Sequence, residues 1–220
     1  MKRKPRNILM GVVGLLVLLA VALAASTLVI SNQYPTEQTA IVTFHLPDDF
    51  TKIRRILVRT EATKQIITMA GDSEFVEENW SSVGGGLDSI NILKDWRLEL
   101  HGTLKVQSLD PYVGKPLVDL TQDVRITPDE VFSKTDQIKP SERLLDYKMT
   151  THFQRDEPAK DTLVELTLTQ KILTTAPWFA HRIADRRVHA SALRALENQK
   201  TAILKLIDEN RDKTGFLPIP

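Results

Sequence analysis

From Ile8 to Ile30 the chain runs for 23 residues without a charged side chain. As an α-helix rising 1.5 Å per residue, that stretch is roughly 35 Å long, enough to cross a hydrocarbon core of about 30 Å with some tilt. A run of this kind has no use in a small water-exposed domain, so whatever folds as a soluble unit must follow it. Lys2, Arg3, Lys4 and Arg6 precede the run, and no acidic residue occurs among the first 30. The excess of cations places the N-terminus on the cytoplasmic side. The expectation is a single-pass protein of a cell inner membrane. Residues 1–7 form a cytoplasmic basic segment, 8–30 a transmembrane helix, 31–38 a linker, 39–211 a periplasmic domain and 212–220 a tail. Ala22-Leu23-Ala24 has the form of a signal-peptidase site. A signal h-region, however, usually holds about 7–15 residues, and this run continues through Leu28-Val29-Ile30. A retained anchor is therefore expected, with cleavage as the alternative.

The chain has no cysteine, which excludes disulfides, lipid attachment at cysteine and thiol catalysis. Beyond Ser31 it carries 25 basic and 28 acidic side chains, a net charge near −3. Such a balance has no general attraction for nucleic acid.

The body of the chain alternates with period 2. Val42, Phe44 and Leu46 share one parity. Leu98, Leu100, Leu104 and Val106 share another, with Gly102 on the apolar side. Val118, Leu120, Val124 and Ile126 form a third set, Leu145, Tyr147, Met149 and Phe153 a fourth, and Val164, Leu166, Leu168 and Ile172 a fifth. Residues 74–83 are a weaker strand candidate, ahead of Gly84-Gly85-Gly86. Alternation of this regularity predicts an antiparallel sheet with one buried and one wet face. Asp110-Pro111-Tyr112, Lys139-Pro140-Ser141 and Asp156-Glu157-Pro158 carry turn chemistry. Helical spacing appears at Phe50, Ile53, Ile56 and Leu57 behind Asp48-Asp49, and again over 61–69, stopped at Gly71. A long helix is expected to run to about Arg211, with Thr175 as its cap and Pro177 in its first turn. Val188, Ala192, Leu196, Ile203 and Ile207 form its apolar stripe.

A strand, two short helices, about six antiparallel strands and one long helix follow in that order. Residues 162–207 carry the last strand (TLVELTLTQKIL) through a short loop into the helix (PWFAHRIADRRVHASALRALENQKTAILKLI). This arrangement resembles the helix-grip fold of the START/SRPBCC superfamily, the polyketide cyclase/dehydrase and lipid-transport group, over residues 39–210. The resemblance implies an α+β fold in which a curved sheet of six to seven strands wraps the long helix. It also implies an apolar cavity between them that binds a hydrophobic small molecule. Alternation alone allows a packed interior equally well.

No catalytic, cofactor or metal motif stands out. His181, Asp185 and His189 share a helix face at i, i+4 and i+8, but a metal wants further ligands and nothing marks them. His45, His101 and His152 fall on the polar parity of their strands. The glycine run lacks the spaced glycines, lysine and following helix of a P-loop. Arg182, Arg186 and Arg187 are expected on a solvated face. Pocket positions are expected at the apolar and aromatic residues Trp80, Trp96, Tyr147, Met149, Phe153 and Trp178, the indoles because each combines a large apolar area with one donor. The resulting expectation is a non-catalytic binder of a hydrophobic small molecule or lipid. Its partners are the membrane, through the N-terminal helix, and the ligand. The alternatives are an assembly module on a membrane protein partner, with a filled interior, and a cyclase- or hydratase-type enzyme. A large cavity favours the first, a filled interior the second, and titratable groups converging in a cavity the third.

Overall fold

The computed structural model describes residues 17–22, 33–59, 61–82, 97–158 and 160–213. Strand β1 (Gln33–Leu46) leads into helices α1 (Phe50–Arg59) and α2 (Ala62–Ala70). Six strands follow: β2 (Ser73–Ser82), β3 (Leu98–Ser108), β4 (Leu117–Ile126), β5 (Glu130–Gln137), β6 (Leu144–Asp156) and β7 (Asp161–Thr175). A 3-10 turn (Trp178–Ala180) precedes the long helix α3 (His181–Asn210). The seven strands form one antiparallel sheet in the order β1-β7-β6-β5-β4-β3-β2. The chain thus begins at one edge, crosses to the other through α1 and α2, and returns strand by strand.

The short helices form for local reasons. The Asp49 carboxylate accepts the Thr51 N–H at 2.8 Å, capping α1. Phe50, Ile53 and Ile56 then lie on one buried face. Helix α2 ends at Gly71, whose φ of 72° suits glycine and whose N–H returns to the Ile67 carbonyl. On α3 the expected stripe, Val188, Ala192, Leu196, Ile203 and Ile207, is buried throughout.

Three expectations need correction, and one strand carries no periodicity that would have marked it. Strand β1 starts at Gln33, so most of the expected linker is strand. Pro35 is tolerated there because β1 is an edge, pairing only with β7. Thr175 does not cap α3; it closes the β1–β7 ladder opposite Gln33, and the helix begins at His181. In β6 the inward residue is Leu144 and not Leu145, because a register shift between Leu144 and Asp146 reverses the parity at that end. Strand β5 (EVFSKTDQ) carries no apolar alternation, since its inward positions include Ser133 and Thr135.

Among the described residues no helix is long and apolar enough to cross a membrane. The expected span 8–30 lies outside them except for 17–22, which are helical and exposed. Trp96 and the glycine run also lie outside the described residues.

The apolar interior divides in two. One group joins β1, α1, β7 and the C-terminal half of α3 around Leu166, Leu196, Ile203 and Leu206. The other joins β3, β4, Val113, Leu144, Ile172 and Val188. Both groups contribute to the walls of a cavity.

Candidate ligand cavity

The cavity holds about 580 Å³, within the roughly 300–1,000 Å³ typical of small-molecule sites. Its sheet wall includes Leu104, Val118, Leu120, Ile126 and Leu168, all on the inward parity of their strands. Ile66 and Ile67 of α2 and Ala195 and Ile203 of α3 close the opposite side. The segment from Leu109 to Val113 closes one end. It is tied down twice: the Leu109 N–H donates to the Asp72 carbonyl at 2.9 Å, and the Ser191 hydroxyl donates to Asp110.

Trp80, Tyr147, Met149 and Phe153 all border this space. Trp80 lies directly across from Gly102 in the β2–β3 ladder, and its indole covers the glycine. Trp178 does not line the cavity. It is 78% exposed, because the 3-10 turn holds it before the helix begins, beyond the end of the β1–β7 ladder. It packs edge-to-face on Phe179 at 5.9 Å between ring centroids.

Polar residues missed in the sequence also face inward. Gln122 sits on the apolar parity of β4, held by the Thr63 hydroxyl at 3.2 Å and donating to Ser133 Oγ at 2.7 Å. Gln170 does the same on β7, with its Nε2 donating to the Val188 carbonyl at 3.1 Å. Both were visible as polar interruptions of an apolar parity.

Asp72, Tyr147 and Arg194 form a polar corner of the cavity. Among the described residues the Tyr147 hydroxyl reaches only the Met149 sulfur, at 3.5 Å, a weak acceptor. Burial, and then the nearby Asp72 charge, push the phenol up to about 12, so it stays a donor. Asp72 Oδ1 accepts from Asn198 at 2.8 Å. Its other oxygen has no hydrogen-bond partner among the described residues. Burial raises the Asp72 carboxyl and the Asp110 charge adds to this, while the Asn198 bond and the Arg194 charge oppose it. Asp110 is fully engaged, since its Oδ1 accepts the Tyr112 N–H at 2.7 Å and its Oδ2 the Ser191 hydroxyl.

The Asp72 shift has a sign that can be tested. A carboxyl with a raised folded pKa binds its proton more tightly in the native state. Stability therefore falls as pH rises from the ordinary aspartate value through the raised one. Asp72→Asn keeps an oxygen for Asn198 and removes the charge. It is expected to melt higher than the parent at neutral pH and to lose that part of the pH dependence. Melting curves across mildly acidic to neutral pH check this; a lower melting point for the variant at pH 7 contradicts it.

The three strand histidines have structural partners. His45 Nδ1 lies 3.0 Å from Asp161, His101 Nδ1 2.6 Å from Asp123 and His152 Nε2 2.9 Å from Glu130. The ligand atoms of His45, Asp156 and Asp161 fall within 4.8 Å of one another, the one such group among the described residues, and none of the three lines the cavity. Asp185 accepts from Thr36 at 2.6 Å and from Tyr34 at 3.1 Å, and the Tyr34 ring stacks on His181 at 3.6 Å. His181 and Asp185 on this helix face thus hold β1, while His189 is exposed.

No family profile and no curated protein sequence matches the chain. Among solved structures, a protein of unknown function from Staphylococcus aureus superposes over 81% of this chain and 98% of its own, with a TM-score of 0.54 at 7% identity. Weaker likenesses include an aromatase/cyclase from Streptomyces sp. R1128 (TM-score 0.46, 10% identity, 82% of this chain and 99% of that one). A START superfamily protein from Mycobacterium smegmatis is another (0.44, 12%, 78% and 97%). At such identities a likeness speaks to the fold alone. With strand order, crossover helices and the long C-terminal helix in place, the chain has a helix-grip fold, one antiparallel sheet of seven strands packed on a long helix.

Proposed function

We propose that this chain is a membrane-tethered binding protein for a largely apolar small molecule or lipid, and that it is not a catalyst. The observation that carries the reading is the cavity of about 580 Å³, left between sheet and helix where a packed interior would otherwise lie. The uncharged run at 8–30, preceded by four cations, supports an inner-membrane anchor with the domain on the periplasmic side. Tethering would raise the effective concentration of a ligand drawn from the bilayer. An assembly module with a filled interior fits the open cavity poorly.

The corner of Asp72, Tyr147 and Arg194 favours the enzyme alternative, because titratable groups meet there. It supplies one carboxylate oxygen without a partner among the described residues and one phenol held as a donor, and neither is a nucleophile paired with a base. The same groups suit a ligand hydroxyl, which accepts from Tyr147 and donates to Asp72. Native mass spectrometry of the full chain in mild detergent is expected to retain an apolar adduct. Octanol is expected to raise the melting temperature, and Tyr147→Phe to weaken its binding about tenfold, the worth of one buried hydrogen bond near 1–1.5 kcal/mol. Absence of any adduct together with no response to octanol sinks the binding reading.

A further inference from the structure

At one end of the sheet, three features lie together. The first is an exposed apolar patch: Trp178 is 78% exposed, Phe179 66% and Ile183 53%. The second is charge. Arg182, Arg186 and Arg187 are exposed on the first turns of α3, and none of the three has an ion pair among the described residues. The acidic residue among them, Asp185, is already occupied by Tyr34 and Thr36. The domain beyond Ser31 is net acidic, so this end is basic against the trend. The third is position. Gln33 pairs with Thr175, and Tyr34 stacks on His181, so the start of β1 and the start of α3 share one end of the fold. Ile30, the last residue of the uncharged run, stands three residues before Gln33. A chain of that length spans at most about 11 Å.

We infer that the end of the domain formed by Trp178, Phe179, Ile183 and the three arginines lies against the surface of a bilayer containing anionic lipid. The inference rests on the anchor reading for the short tether and on the exposed patch for the contact. An indole and a phenyl ring with guanidinium groups beside them match the headgroup zone, where aromatic rings rest at the apolar boundary and cations meet phosphates. The contact fixes how the domain stands on the membrane, with α3 rising from the surface at its N-terminal end and the cavity segment, Ser191 to Ile203, further out.

The test uses the full chain reconstituted in vesicles whose acyl chains are brominated close to the headgroup. Tryptophan emission is compared between phosphatidylcholine alone and phosphatidylcholine mixed with phosphatidylglycerol. Bromine is expected to quench the parent, more strongly with phosphatidylglycerol, and Trp178→Phe is expected to remove most of that quenching at an unchanged melting temperature. A combined R182E/R186E/R187E variant is expected to lose the dependence on phosphatidylglycerol. Equal quenching of the parent and Trp178→Phe, or a charge-reversed variant quenched like the parent, overturns the inference. Alkaline extraction separates it from the anchor. If alkali strips the chain from vesicles, the anchor reading fails. Flotation with phosphatidylglycerol-containing vesicles at neutral pH then still upholds the face, and no flotation overturns it too.

Discussion

Replacing Leu196 by alanine is expected to cost about 2–5 kcal/mol of folding free energy, a large share of a domain stability of roughly 5–15 kcal/mol. The side chain is wholly buried among Ile203, Leu206 and the inward residues of β7, and it does not line the cavity. Removing it leaves a new void that the rigid sheet cannot close. Ile203, on the same stripe, borders the cavity. Part of its surroundings is already empty, so Ile203→Ala forfeits fewer contacts and is expected to cost less than Leu196→Ala. Equilibrium denaturation of both variants checks the order, with midpoints shifted and slopes unchanged. Equal losses would mean the space beside Ile203 is packed in solution. Losses under about 1 kcal/mol at both positions would remove α3 from the core.

The second large effect is expected at Gly102. A Cβ added there would stand 2.6 Å from Trp80 Cε3 and 2.8 Å from two further ring atoms. Gly102→Val therefore cannot coexist with the indole in its present place. Overpacking of this kind costs typically 1–3 kcal/mol, and the cheapest escape is for Trp80 to swing off the cavity wall. The expected result is a destabilised domain with red-shifted tryptophan emission and a lost response to octanol. Retained emission and retained octanol binding would show that Trp80 does not cover the glycine. Asp72→Asn and Tyr147→Phe probe the polar corner of the same cavity, and neither should disturb this wall.

Most of the architecture was legible because it follows from short-range periodicity. Val42, Phe44 and Leu46, or Val164, Leu166 and Leu168, announce their buried face without reference to any other strand. The stripe from Val188 to Ile207 does the same for α3. The misreadings occur where a long-range pairing overrides the local pattern. Pro35 reads as linker until β7 is seen to hold it at an edge. Leu145 holds the inward parity until the register shift beside Leu144 reverses it. β5 is silent because its inward face meets a cavity with serine and threonine, and an apolar period never forms.

The candidate site was only half legible, for a related reason. Period 2 tells which side chains point inward, and so it put Tyr147, Met149 and Phe153 on one face. It carries no information about what they meet there. Gln122 and Gln170, which break the apolar parity, were the signal for a wall facing something other than packed side chains. The sequence by itself determined the order of elements, the faces of the strands and helix, and the uncharged run that divides the chain. Only the tertiary structure decided that the two core groups stand apart around a cavity, that Asp72 and Tyr147 meet at one corner of it, and that Trp178 is turned away. Those outcomes depend on the distance between sheet and helix and on where each loop ends, quantities set by packing across the whole domain that no local spacing encodes.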